Sequence, residues 1–175
     1  MNTIIETERL ILRELLPSDA KSMFLLDSNP NVHKHLGNNP VKSIEECRNY
    51  IENIRNQYIQ NGTGRFAVVL KETNEVIGWA GIKYITEPEN NHVNFYDLGY
   101  RLQENHWGKG YGFEVAKAWL DFGFNKMNIT KMYASTHIEN MGSRRILEKI
   151  GMKLVSEFDW DGIPCVWFEL DKNSI

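Results

Sequence analysis

The chain of 175 residues is 42% hydrophobic and 25% charged, with a net charge of −3. These are the values of one globular domain, and they exclude intrinsic disorder, a fibrous repeat and a general nucleic-acid binder. No apolar run approaches the ~20 residues that span a bilayer. The opening MNTIIETERL has two acids and no apolar signal-peptide core. Cys47 and Cys165 show neither metal-site spacing nor a disulfide framework. The expectation is one domain over 1–175 in a reducing cytoplasm, with no membrane, direct nucleic-acid or metal partner.

In chain order, Arg9–Glu14 alternates as a strand. Pro17-Ser18-Asp19 opens a short helix with Met23, Phe24 and Leu26, and 29–40 reads as a loop. Ser43-Ile-Glu-Glu46 is a capping box for a helix with Cys47, Ile51, Ile54 and Tyr58 on one face, ended by the Asn61–Gly64 run. Arg65–Lys71 and Val76–Thr86 form a hairpin about 72–75. After a loop at 87–91 comes a strand, Val93–Leu102, in which Gly99 signals a bulge or a close backbone approach. A helix follows the glycines at 108–112. Then come a strand at Lys131–His137, a helix at Asn140–Ile150, and a hairpin of Met152–Trp160 and Ile163–Leu170 about Asp161-Gly162. The order β-α-α-β-β-β-α-β-α-β-β predicts one mixed α/β sheet with helices on both faces.

The net charge conceals an asymmetry. Residues 108–149 hold seven Lys/Arg and four acids, net +3, and the remainder holds thirteen and nineteen, net −6. A basic segment in an acidic chain suits a polyanionic ligand, and the acidic remainder suits a cationic one.

Trp107-Gly-Lys-Gly-Tyr-Gly112 lies between a strand and a helix. Alternate glycines let a backbone turn its amides toward a phosphate at a helix N-terminus, and Lys109 adds a full charge. The string is not a P-loop, and its GxGxG spacing and late position do not suit a dinucleotide fingerprint.

Three motifs in order carry a resemblance. They are Asp97-Leu-Gly-Tyr-Arg-Leu102, Trp107–Gly112, and Asn140-Met-Gly-Ser143 running on to Gly151-Met152, with Thr7–Arg13 as a matching first strand. The chain resembles the GNAT N-acetyltransferases, in particular the Rim-type branch that includes ribosomal-protein N-terminal acetyltransferases. Trp107 stands where most of the superfamily has Gln or Arg.

The resemblance implies a mostly antiparallel sheet splayed between its fourth and fifth predicted strands, with the pantetheine of acetyl-CoA in the gap. The backbone of Tyr100, Arg101 and Leu102 would pair with that arm. Trp107, Gly108, Lys109, Gly110, Tyr111 and Gly112 would hold the pyrophosphate, and Arg145 is a further phosphate candidate. Arg144 is better explained by an i,i+4 pair with Glu148. Asn140 would cap its helix and lie near the thioester.

The family's usual tyrosine acid falls on Leu147, so Ser143 is the candidate for steadying the leaving thiolate. Asp97 is the first candidate base, and His137, Glu139 or a water relay are the others. Trp79, Tyr84, Tyr96, Trp160 and Trp167 could wall the acceptor site. The implied partners are acetyl-CoA and an amine acceptor, in a monomer or homodimer. The acceptor would be a protein N-terminus, a polyamine or an antibiotic. A silent acyl-CoA-binding module and a nucleotide-binding protein remain as alternatives.

Overall fold

The computed structural model describes residues 4–174. They form one eight-stranded sheet in the order β1-β2-β3-β4-β5-β6-β8-β7. The strands are β1 (Ile5–Glu6), β2 (Leu10–Arg13), β3 (Arg65–Leu70), β4 (Val76–Ile85), β5 (Phe95–Leu102), β6 (Lys131–His137), β7 (Lys153–Trp160) and β8 (Ile163–Asp171). The helices are α1 (Ala20–Asp27), α2 (Pro30–His33), α3 (Ile44–Asn61), α4 (Tyr111–Asn125) and α5 (Met141–Lys149).

Every neighbouring pair is antiparallel except β5 and β6, which run parallel and meet at a single register position, Asp97↔Tyr133. Beyond Asp97 the two strands part, and the edge of β5 that faces β6 is left open. The expected splay is there.

The pleat sends alternate residues to opposite faces. Leu98 and Leu102 of β5 join Val115, Trp119 and Leu120 of α4 in one core, while Trp79 of β4 packs with Met23 of α1 and Ile51 and Ile54 of α3 in the other. Each large apolar side chain so buried contributes about 1.5–3 kcal/mol.

Local signals act as the chemistry requires. Ser43 accepts the Glu46 amide, and Gly62 ends α3 in the left-handed region at φ 68°. Asp161 and Gly162 both take positive φ, 48° and 84°, as a type I′ hairpin turn requires.

Three departures from expectation have local causes. Residues 29–40 contain α2, because the Asn29 side chain caps the Asn31 amide and Pro30 takes the first helical position. Strand β5 starts at Phe95, because Asn94 sits at φ 54°. The segment 87–91 ends in a tight turn. Glu89 and His92 exchange amide–carbonyl hydrogen bonds of 2.9 and 2.8 Å across Asn90 and Asn91, at φ 46° and 62°.

Gly99 causes no bulge, since it pairs in register with Gly81. It allows a close approach instead: a Cβ there would lie 2.8 Å from the Arg65 guanidinium.

Candidate active site

A cleft of about 890 Å³ passes through the fork between β5 and β6 and opens on both faces of the sheet. On the α4–α5 face it is walled by Tyr100, Gly110, Gly112, Asn140, Ser143 and Arg145. On the α1–α3 face it is walled by Arg65, Trp79, Lys83, Asp97 and Arg101, with Glu89 at the fork. One strand therefore serves two compartments.

The glycine turn is built as its sequence suggests. Gly108 and Gly110 take φ of 71° and 85°, which L side chains disfavour, and Gly110 is the N-cap of α4. A Cβ at Gly112 would lie 3.0 Å from Ile146 Cδ1 and 3.2 Å from Tyr100 Cε2, so that glycine lets α4 close onto α5 and β5. Trp107 donates its indole N–H to the Leu102 carbonyl at 2.8 Å and so ties the turn to the end of β5. Lys109 is exposed and outside the cleft wall, and its carbonyl takes a 2.8 Å bond from Arg9.

Arg9 is a residue that sequence reasoning left without a role. Its guanidinium also pairs with Glu114 at 2.7 Å and lies 4.4 Å over the Tyr111 ring. Burial alone would raise the Glu114 carboxyl. Bonds from Thr7 and from the Arg9 amide and guanidinium outweigh burial and hold the carboxyl below its usual range. Thr7 and Arg9 thus brace the first turn of α4 from the far end of the chain. The only hint was their place in a recognisable first-strand motif.

On α5, the Asn140 side chain caps the Ser143 amide at 3.1 Å. Tyr100 Oη lies 3.4 Å from Ser143 Oγ. Burial pushes the Tyr100 phenol up, against a smaller opposing effect from Ser143, so it stays a proton donor. Leu147 is 3% exposed and belongs to the core. Arg145 is exposed on the cleft, whereas Arg144 donates to the Ile138 carbonyl at 2.8 Å and braces the turn before α5 rather than pairing with Glu148.

On the other face, the Asp97 carboxylate is gripped by the Arg65 guanidinium, which also donates to the Gly81 carbonyl at 2.6 Å. Arg101 turns its side chain away from the α4–α5 face to Asp27, 2.6 Å away, so only its backbone lies on the open edge of β5. Trp79 lies between the two guanidinium groups, 5.1 Å from each. Of the other aromatics, Trp160 lines the cleft, Trp167 is core at 1% exposure, and Tyr84 packs on Tyr96.

His35, His137 and Glu139 bring ligand atoms within 4.8 Å of one another. His137 Nδ1, however, accepts the Glu139 amide proton at 3.0 Å, so its Nε2 carries the proton in the neutral ring. The trio then offers two free donors, short of a metal site.

The acetyltransferase (GNAT) domain model matches residues 9–153, which include every residue of the cleft wall except Trp160, Ile163 and Cys165. The chain belongs to the GNAT acetyltransferase family. An uncharacterized N-acetyltransferase of Bacillus licheniformis is 33% identical over 84% of this chain and 80% of its own. A spermidine N(1)-acetyltransferase of Vibrio cholerae is 25% identical over 88% of this chain and 87% of its own. The solved structure of a ribosomal L7/L12 alpha-N-protein acetyltransferase with coenzyme A superposes with a TM-score of 0.81 at 18% identity, covering 97% and 98% of the two chains.

This GNAT protein is an acetyl-transferring enzyme with acetyl-CoA as donor. The silent-module and nucleotide-binding readings fall away with that. The open β5 edge and a turn whose glycines leave backbone exposed fit such a donor. No helix among the described residues is long and apolar enough to cross a membrane.

Proposed function

We propose that the acceptor is a primary amine on a small cationic molecule of polyamine type. The observation that carries this is the charge at the acceptor mouth. Beside the main cleft a depression of about 310 Å³ is lined by Glu87, Glu89, Asp159 and Asp161, with Phe158 and Trp160 between them. Glu89 and Trp160 belong to both spaces. A tail bearing further ammonium groups would lie along those carboxylates while its terminal amine reached the fork. A Rim-type protein N-terminus is the second reading, favoured by Ser143 in the cleft beside Tyr100.

In the chemistry we infer, the β5 edge at Tyr100–Leu102 and the amides of 108–112 hold acetyl-CoA, with Arg145 toward its phosphates. The neutral amine attacks the thioester directly. As the thiolate leaves, Ser143 donates to sulfur and Tyr100 stands behind it as its own donor.

Coenzyme A release from acetyl-CoA would be followed over spermidine, an aminoglycoside, and peptides with basic or neutral N-terminal segments. The expected order of kcat/KM places spermidine first, and an Asp159→Asn, Asp161→Asn variant loses at least ~10-fold on it, roughly 1.4 kcal/mol. A neutral peptide preferred over every cationic amine would refute the reading.

A further inference from the structure

The Asp97 carboxylate, the sequence's first candidate for the base, is already committed to Arg65. Glu89 stands beside it under different conditions. Its backbone is fixed by the Glu89–His92 turn. That turn is itself anchored: Asn90 donates to Ser156 on β7 at 3.1 Å, and the His92 ring stacks on Trp167 of β8 with centroids 5.0 Å apart. The side chain reaches the fork where β5 and β6 part. The groups facing it are Lys83 from β4, Arg65 from β3, Asp97 from β5, Ser135 from β6 and Cys165 from β8, with Asp159 of β7 and Glu87 of its own segment at the adjoining mouth. Among the described residues it makes no ion pair of salt-bridge length, and it lines both the main cleft and the acceptor mouth.

We propose that Glu89 is the general base of the reaction, the group that takes the proton from the incoming ammonium. This rests on the reading of the cleft as the site of acetyl transfer to an amine.

One Glu89 oxygen accepts a proton from R–NH3+, giving a carboxylic acid and R–NH2. The amine lone pair forms the N–C bond to the thioester carbonyl carbon, and the C–S bond breaks with its electrons on sulfur. The second proton passes from the new amide nitrogen to the thiolate, and Glu89 returns its proton to solvent.

The site suits this work. Removal from water, with repulsion from Asp97, raises the Glu89 carboxyl above the usual carboxylate range, and Lys83, Arg65 and Ser135 oppose this without cancelling it. A general base works best when it titrates near the working pH, so an upward shift of a carboxyl suits the task. A carboxyl raised in the folded state favours folding below its unfolded pKa and loses that advantage as pH rises through the folded value, so at neutral pH ionised Glu89 costs stability.

The test uses full-length wild type, Glu89→Gln and Glu89→Asp, with spermidine and with aminoacetonitrile, whose weakly basic amine is already neutral at neutral pH. For Glu89→Gln on spermidine the expected loss in kcat/KM is about 100-fold or more. The acidic limb of its pH profile should vanish, acetyl-CoA affinity should stay within about twofold, and the melting temperature should hold or rise. Glu89→Asp should recover part of the rate. With aminoacetonitrile the deficit should shrink to a few-fold, because no proton need be taken before attack. An equal deficit with both amines, or a loss matched by a fall in melting temperature, overturns the assignment.

If wild type acetylates neither amine, the acceptor reading fails by itself. Glu89 is then decided by carboxyl 13C NMR of the acetyl-CoA complex, taken as wild type minus Glu89→Gln. A resonance that titrates above the other glutamates supports the base. One that titrates with them overturns it.

Discussion

Breaking the Arg65–Asp97 pair separates a structural carboxylate from a catalytic one. The two side chains are only 10% and 16% exposed, and Arg65 also satisfies the Gly81 and Asp97 carbonyls at 2.6 and 2.9 Å. Arg65→Met removes all of these bonds at once and leaves a mostly buried carboxylate without its cation. Losing one partner of such a pair costs about 3–5 kcal/mol, and the residual exposure places this one near ~3. In a chain of this length that is a fall in Tm of about 6–12 °C by calorimetry. Asp97→Asn should cost less, because the guanidinium keeps both carbonyl acceptors. The double variant should recover about 1 kcal/mol relative to the sum of the singles. Activity should fall in step with stability for these variants, in contrast to Glu89→Gln. A Tm change under about 3 °C for Arg65→Met, or strict additivity in the double variant, would show that the pair carries little energy and would return Asp97 to the role of free base.

Three further outcomes are expected. Arg9→Ala frees the Lys109 carbonyl and Glu114 and loosens the glycine turn. Acetyl-CoA Kd by calorimetry should rise about 10-fold, roughly 1.4 kcal/mol, and an unchanged Kd would refute the bracing role. Ser143→Ala should lower kcat more than it raises KM for acetyl-CoA, and Tyr100→Phe should do the same to a smaller degree. A pure KM effect would make the pair binding groups alone. Burial pushes the Cys47 and Cys165 thiols up to about 11, so at pH 8 neither should react with a disulfide reagent in the native protein, and both should after denaturation. Fast native labelling of either one would show that its strand or helix opens.

The sequence by itself settled what depends on neighbours along the chain. The capping box at Ser43, the turn at Asp161-Gly162, the glycine cradle at 108–112 and the alternation of β5 are local patterns with local physical causes. Their order along the chain was enough to identify the family. The α1–α3 side of the cleft was legible only in part: Trp79, Asp97 and Trp160 were candidates, but Arg65, Lys83 and Glu89 were not, because they come from β3, β4 and a turn and nothing local marks them as companions. Asp97 and Glu89 differ little as letters. Tertiary structure gave one of them an arginine threaded over Gly99, and left the other desolvated at the fork on a turn held by β7 and β8. A carboxylate's chemistry is set by the charges and water around it, and only the folded chain decides which residues supply them.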